Sequence, residues 1–112
     1  MPDRTDTDWL LDILEEADLI ATATNGRTFE QFSADLVLQR AVLHMLQTIG
    51  EAANHLSPAT LTTMAAIPWP LVRGLRNRIV HGYFGLDLGA VWLTATTEAP
   101  RLATAVRASG LI

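Results

Sequence analysis

Apolar residues recur at helical spacing along most of the chain, and no segment alternates between apolar and polar residues long enough to predict a strand. The first amphipathic stretch has an apolar stripe made of Leu10, Ile13, Leu14, Ala17 and Ile20. The polar cluster Thr5-Asp6-Thr7 precedes this stretch and predicts a helix N-cap, and Asn25-Gly26 follows it and predicts a turn. We therefore expect the chain to begin with one long helix.

The longest helix is expected from about Ala34 to His55. Before it, Thr28 and Gln31 resemble a capping box, either for a short helix or for the entry to this long one. Two apolar stripes run along it, one made of Leu38, Val42, Met45, Ile49 and Ala52, the other of Leu36, Leu43, Leu46, Gly50 and Ala53. A helix that is apolar around much of its circumference needs cover on more than one side. The second stripe could face a second subunit, which predicts a homodimer. The alternative is a central helix buried within one chain.

Proline and glycine residues divide the second half of the chain. Ser57-Pro58 ends the long helix, and the stretch up to Ile67 is expected to be a loop or a short turn of helix. Pro68-Trp69-Pro70 predicts the start of the next helix. Its expected inner face consists of Trp69, Val72, Leu75 and Ile79, and its expected end lies between Gly82 and Gly85.

The last helix is expected to be capped by Asp87 and to be kinked or interrupted by Pro100. No linker or repeat separates these elements. We therefore expect residues 1–112 to form one all-α domain, an up-and-down bundle of four or five helices.

The charge of the chain restricts how it could bind nucleic acid. The net charge is −4, with eight arginines and no lysine, whereas proteins that bind nucleic acid by bulk charge are basic. Phosphate contacts would have to come from the arginine cluster formed by Arg73, Arg76 and Arg78.

The polar N-terminus, the lack of 18 consecutive apolar residues and the absence of cysteine predict a cytoplasmic chain with no membrane span, signal peptide or disulfide.

Next to this cluster lie His81 and Tyr83. Arginine binds phosphate oxygens with a bidentate fork, and histidine titrates near neutral pH. Arg76 and His81 are five residues apart, about 140° around an ideal helix, so they do not share a face by spacing alone. They can still converge if the helix frays at Gly82. From the residues alone, the arginines could equally lie on a solvated face paired with carboxylates. His81 could simply stabilise a helix C-terminus, and Tyr83 could be a core anchor.

A resemblance to a known family changes this interpretation. The segment Arg76-Asn77-Arg78-Ile79-Val80-His81-Gly82-Tyr83 resembles the R-N-x-x-x-H-x-Y signature of the HepT-like toxins, within the HEPN ribonuclease superfamily. Three further segments are similar to this family: Ile49-Gly50-Glu51-Ala52-Ala53 with Leu56-Ser57, Ile67-Pro68-Trp69, and Gly85-Leu86-Asp87 leading to Val91-Trp92. The resemblance covers residues 8 to 106. Two departures are Leu75, where the family often has methionine, and the additional Arg78.

The resemblance implies the toxin of a type VII toxin–antitoxin system. Such a toxin is a metal-independent endoribonuclease without a cofactor, and its R-x4-H motifs, one from each subunit, face each other across the interface of a homodimer. The site residues that it implies are Arg76 and His81 as catalytic residues, Asn77 and Glu51 as supporting residues, and Arg73 and Arg78 as RNA-binding residues. Glu51 would hold Arg76 by a charge-assisted hydrogen bond; the alternative is a solvent-facing helix residue.

The implied partners are the RNA substrate and a minimal nucleotidyltransferase antitoxin. This antitoxin would silence the toxin by AMP transfer from ATP onto Tyr83. One alternative is a non-catalytic, nucleotide-binding helical subunit that partners a nucleotidyltransferase. Another is a structural helical oligomer whose arginines have no nucleic-acid role.

Overall fold

The computed structural model describes residues 3–82 and 87–112, and all regular structure within these ranges is helical. The helices are α1 (Asp6–Thr24), α2 (Phe29–Ala34), α3 (Leu36–Ala53), α4 (Pro58–Thr63), α5 (Trp69–Arg73), α6 (Leu75–Gly82), α7 (Leu88–Leu93) and α8 (Ala99–Ala108). A π-helical segment, Thr94–Glu98, joins α7 to α8. None of the helices in these ranges is both long and apolar enough to cross a bilayer. The predicted all-α class is confirmed. Short helices between the long ones raise the number of helical segments above the predicted four or five.

The first helices begin where their capping residues predict. The Thr5 side chain accepts a hydrogen bond from the Asp8 N–H, and the Asp8 carboxylate accepts one from the Thr5 N–H, which completes a capping box. Thr28 and Gln31 form the same reciprocal pair at the start of α2. Between α1 and α2, Gly26 adopts a φ of 72°, in the left-handed region that favours glycine. Local hydrogen bonding therefore sets both helix starts.

The core lies where α3 packs between α1 and α6, with α8 against α1. Its largest fully buried side chains are Leu10, Ile13, Ile20, Phe32, Val42, Ile49 and Val106.

The two apolar stripes of α3 are both covered by the same chain. From the first stripe Leu38, Val42, Ile49 and Ala52 are buried, and from the second Leu43, Leu46, Gly50 and Ala53. Only near the N-terminus of α3 does a stripe residue, Leu36, remain exposed. The alternative of a central helix thus accounts for the stripes, which give no evidence for a second subunit. The homodimer stays a prediction.

The helix expected from Pro68 onward is divided into α5 and α6 at Gly74. Gly74 closes α5 by donating its N–H to the Pro70 carbonyl. The predicted inner face is confirmed, since Trp69 and Ile79 are buried and Val72 and Leu75 pack partly buried against the core. Helix α6 is helical through Gly82, so no fraying occurs up to that residue; Gly85 lies outside the described residues.

The last part of the chain follows the predicted signals. The Asp87 carboxylate caps α7 by accepting hydrogen bonds from the Gly89 and Ala90 N–H groups. Pro100 interrupts the regular helix as predicted: the π-helical segment precedes it, and Pro100 lies in the first turn of α8, where its missing N–H leaves no bond unmade.

Helices α3 and α6 approach closely at Gly50. A Cβ atom on Gly50 would lie 2.8 Å from the Arg76 backbone nitrogen, 3.0 Å from the Leu75 Cβ and 3.1 Å from the Val72 carbonyl oxygen. Two of these three atoms are backbone, so they cannot yield without a shift of the helix that carries them. The missing side chain at position 50 therefore lets the start of α6 lie directly against α3.

We expect Gly50→Ala to lower the free energy of unfolding by about 1–3 kcal/mol, the usual cost of overpacking a tight contact. Urea denaturation measures this change. Gly82→Ala is the matched control, because its Cβ would meet no atom of the described residues within 4 Å and alanine stabilises a helix by up to about 1 kcal/mol relative to glycine. A Gly50→Ala variant as stable as the wild type would contradict the close approach.

Asp6 connects the start of α1 to the start of α4. Its carboxylate accepts hydrogen bonds from the Ser57 hydroxyl, the Ser57 N–H at 3.2 Å and the Thr60 hydroxyl. The bond from the Ser57 side chain, followed by that from Thr60, lowers the pKa of Asp6 below its ordinary value of 3.8. The ionised carboxylate is therefore the form that the fold stabilises.

We expect Asp6→Asn to destabilise the protein by about 1–2 kcal/mol at pH 7, since hydrogen bonds to a charged acceptor are lost. Because the folded-state pKa is lowered, the stabilisation is fully present above pH 3.8 and disappears as the pH falls through the lowered value. Urea denaturation between pH 7 and pH 2.5 should show the free energies of unfolding of the wild type and Asp6→Asn converging in acid. The control variant Asp3→Asn should match the wild type at every pH. A constant difference over this pH range would rule out the assigned cause.

Candidate functional site

Helix α6 carries four of the predicted site residues, Arg76, Asn77, Arg78 and His81, and all four are exposed. Because α6 is helical from Leu75 to Gly82, five residues of separation place Arg76 and His81 about 140° apart around its axis. The structure therefore does not bring these two side chains together by local unwinding. They leave the helix in different directions.

Arg76 is oriented by two side chains of its own chain. Its Nε lies 3.3 Å from Oε2 of Glu51 on α3, and its Nη1 donates to Oδ1 of Asn77 at 3.3 Å. Within the described part of the chain, the remaining nitrogen, Nη2, has no hydrogen-bond partner. A guanidinium held in this way can present Nη2 to an anion such as a phosphate oxygen.

Glu51 has both of the properties that were considered for it. It is solvent-exposed, and its carboxylate also bridges two cationic or polar side chains, with Oε2 on Arg76 and Oε1 at 3.5 Å from Nε2 of His55. Pairs this exposed contribute only about 0–1 kcal/mol to stability. The contact between Glu51 and Arg76 therefore contributes more to orienting the guanidinium than to the stability of the fold. Its role in activity stays a prediction.

Arg73 and Arg78 are held by hydrogen bonds to neutral groups. Arg73 donates through Nε to Oδ1 of Asn54 at 3.3 Å, and Asn54 returns a bond from Nδ2 to the Arg73 carbonyl at 3.1 Å. Arg78 donates through Nη2 to the Leu71 carbonyl at 2.7 Å. Neither guanidinium pairs with a carboxylate in residues 3–82 or 87–112, so ion pairing does not explain them there. Their RNA-binding role stays a prediction.

Sequence reasoning missed an aromatic stack beside Glu51. The rings of Trp9 and His55 are parallel within 8°, with 4.1 Å between their centroids, and Cζ of Arg4 lies 4.2 Å from the Trp9 centroid. Trp9 lies in the first turn of α1 and His55 follows the end of α3, and 46 residues separate them in the sequence. No local pattern indicates this pairing, and only the packing of α1 on α3 reveals it.

Tyr83, the predicted AMPylation site, lies outside the described residues. His81 occupies the last turn of α6, the favourable place for an imidazole that was considered as the alternative to catalysis. Among the side chains in the described ranges, no group of three histidine, aspartate or glutamate residues is arranged to hold a metal ion.

Comparison with known proteins assigns the chain to a family. The family model described as "Ribonuclease HepT-like" matches residues 13–109, and the chain belongs to this family. It is 33% identical over 104 residues to "Putative RNase TTE0752" of Caldanaerobacter subterraneus, which covers 93% of both chains. It is 34% identical over 99 residues to "Probable ribonuclease HepT" of Thermococcus cleftensis, covering 88% of this chain and 90% of that protein. No solved structure matches it.

Proposed function

We propose that the chain is a ribonuclease toxin, a metal-independent endoribonuclease that cleaves RNA through Arg76 and His81. The observation that carries this proposal is the exposed arrangement on α6, in which Glu51 and Asn77 orient Arg76 while His81 occupies the last turn. Membership of the HepT-like ribonuclease family supports it. So do the names of the relatives, which describe RNases.

The reaction that fits these groups uses the substrate's own 2′-hydroxyl. Its oxygen bonds to the adjacent phosphorus while the bond from phosphorus to the 5′ oxygen breaks. A base removes the 2′ proton and an acid protonates the 5′ oxygen, which leaves a 2′,3′-cyclic phosphate and a 5′-hydroxyl. His81 takes one of these proton-transfer roles, typically a rate factor of about 10²–10⁴. DNA lacks the 2′-hydroxyl and is not cleaved.

Arg76 stabilises the charge that develops on the phosphoryl oxygens. A preorganised donor in this position contributes on the order of 3 kcal/mol to the transition state. Glu51 and Asn77 supply that preorganisation as supporting residues, because both contact the guanidinium before any substrate binds. Arg73 and Arg78 bind neighbouring phosphates of the RNA backbone.

The site is completed by a second copy of the chain. Since α6 directs Arg76 and His81 about 140° apart, helix geometry alone does not place both on one phosphate. In a homodimer whose two α6 helices face each other across the two-fold axis, Arg76 of one subunit can meet His81 of the partner subunit. This arrangement explains how so short a chain could form a cleft.

The toxin is silenced by a minimal nucleotidyltransferase antitoxin, as in a type VII system. The Tyr83 oxygen bonds to the α-phosphorus of ATP, pyrophosphate leaves, and the phenolic proton passes to solvent. The attached AMP adds bulk and negative charge seven residues from Arg76 in the sequence. It therefore opposes phosphate binding both by occupancy and by charge repulsion.

We expect the purified chain to cleave RNA in excess EDTA and to leave DNA of the same sequence intact. His81→Ala should lose at least about 10²-fold in rate, the lower bound for an essential proton-transfer group, while still binding RNA. Gel analysis of cleaved RNA, with identification of 2′,3′-cyclic phosphate ends, measures the reaction.

His44→Ala is the matched control, since His44 is an exposed histidine on α3 with no proposed role.

RNA binding measured against salt should give a log–log slope near −2 if three arginines contact phosphates, at about −0.7 per contact. If a chain shown by intact mass to lack AMP binds nucleotide but leaves RNA uncut, the non-catalytic subunit is the correct alternative. A chain that neither binds nor cuts RNA is the structural oligomer.

We expect Tyr83→Phe to cleave RNA in the presence of the nucleotidyltransferase and ATP, whereas the wild-type chain is silenced, because phenylalanine has no hydroxyl to accept AMP. Cleavage assays with intact-mass spectrometry measure both consequences. Silencing of Tyr83→Phe equal to that of the wild type would replace AMP transfer with inhibition by binding alone.

A further inference from the structure

We infer that His55 is a positioning residue for Arg76, acting through Glu51, and that Trp9 holds His55 in place for this purpose. The inference rests on the proposed function, because it assigns His55 a part in orienting the arginine that would act on RNA. The observation behind it is a continuous series of contacts from the N-terminal end of α1 to α6, which runs through Arg4, Trp9, His55, Glu51 and Arg76.

The outer end of this series is fixed by charge. Arg4 donates through Nη2 to the Asp12 carboxylate at 2.7 Å and to the Asp8 carbonyl at 3.2 Å. Its guanidinium then lies 4.2 Å from the Trp9 ring centroid, within the range of a cation–π contact. Trp9 is half-buried and packs against the core. The indole is therefore a rigid support.

The Trp9 ring holds His55 rather than a nucleotide base. The His55 ring lies 4.1 Å from the same centroid and parallel to it, and two groups this close to one ring cannot occupy the same space. Arg4 and His55 therefore cover opposite faces of the indole, so neither face is open for a base to stack on. This favours a positioning role for Trp9 over an RNA-stacking role.

His55 gives Glu51 a second anchor. A glutamate whose side chain is 52% exposed loses side-chain entropy when it is held in one rotamer, and a single exposed ion pair contributes little against that loss. With Oε1 3.5 Å from Nε2 of His55 and Oε2 3.3 Å from Nε of Arg76, each carboxylate oxygen has a partner. The stack keeps the His55 ring plane constant, so Glu51 presents Oε2 to the same side of Arg76.

The direct test is the exchange rate of the Arg76 Nε–H proton, measured by NMR and assigned by its loss in Arg76→Lys. We expect His55→Leu to accelerate this exchange several-fold, as Glu51→Gln does. His55→Gln should restore part of the slow exchange, because its amide nitrogen can donate to Glu51 although it has no ring to stack on Trp9. His44→Leu, at an exposed histidine within α3, should leave the exchange rate as it is in the wild type.

The kinetic test uses the same variants on RNA. We expect His55→Leu to lower kcat by about tenfold, a moderate loss for a misplaced catalytic group, with KM within about twofold and the melting temperature unchanged. The double variant with Glu51→Gln should be no slower than Glu51→Gln alone, because His55 acts through Glu51.

Failure of the inference and failure of the proposed function give different results. Unchanged Arg76 exchange in His55→Leu overturns the inference whether or not RNA is cleaved. An equal fall in activity for His55→Gln and His55→Leu also overturns it. If His55→Leu accelerates Arg76 exchange but the wild-type chain cleaves no RNA, the positioning contact is supported and the proposed ribonuclease is rejected.

Discussion

The close approach of α3 and α6 at Gly50 is the constraint on which the rest of the site depends. The two backbones can touch there because position 50 has no side chain, and a Cβ would come within 2.8 Å of the Arg76 nitrogen. Glu51 is the next residue on α3, so the same contact places its carboxylate 3.3 Å from the Arg76 Nε. One glycine thus determines the distance between the arginine and the group that orients it.

The buried core supplies the rigidity that the exposed site lacks. Each contact around Arg76 is half-exposed and individually weak, so the site could not be held in place by ion pairs alone. Helix α3 lies between α1 and α6, with most residues of both apolar stripes buried, and the reciprocal bonds between Asn54 and Arg73 fix its C-terminal end to α5. The geometry of the site is therefore a consequence of helix packing.

The sequence predicted those features that local chemistry decides. Helix starts at Thr5, Thr28 and Asp87 were correct, because a capping side chain bonds to backbone N–H groups two or three residues away. The division at Gly74 was missed, since an isolated glycine fits a continuous helical pattern nearly as well as a break. The second stripe of α3 was open to two interpretations because its cover, α5 and α6, comes from a part of the chain more than fifteen residues further on.

The candidate site also has parts that the sequence suggested and parts that only the packing of the helices reveals. Resemblance to the family, and not spacing, suggested the contact between Glu51 and Arg76, which are 25 residues apart in the sequence. Neither the family resemblance nor the residue spacing indicated the stack of Trp9 on His55, because this stack depends on how α1 packs against α3. Fraying of α6 at Gly82 was the condition under which Arg76 and His81 could converge within one chain. Gly82 remains helical, and this leaves Arg76 and His81 on different sides of the helix.

The central claim, that a second chain completes the site, is tested most directly by mixing two inactive variants. Heterodimers of Arg76→Ala with His81→Ala, purified by two different affinity tags, would be assayed for RNA cleavage beside each variant alone. If Arg76 of one subunit works with His81 of the partner subunit, the heterodimer retains one complete site and cleaves RNA. A heterodimer as inactive as its parents would contradict the account.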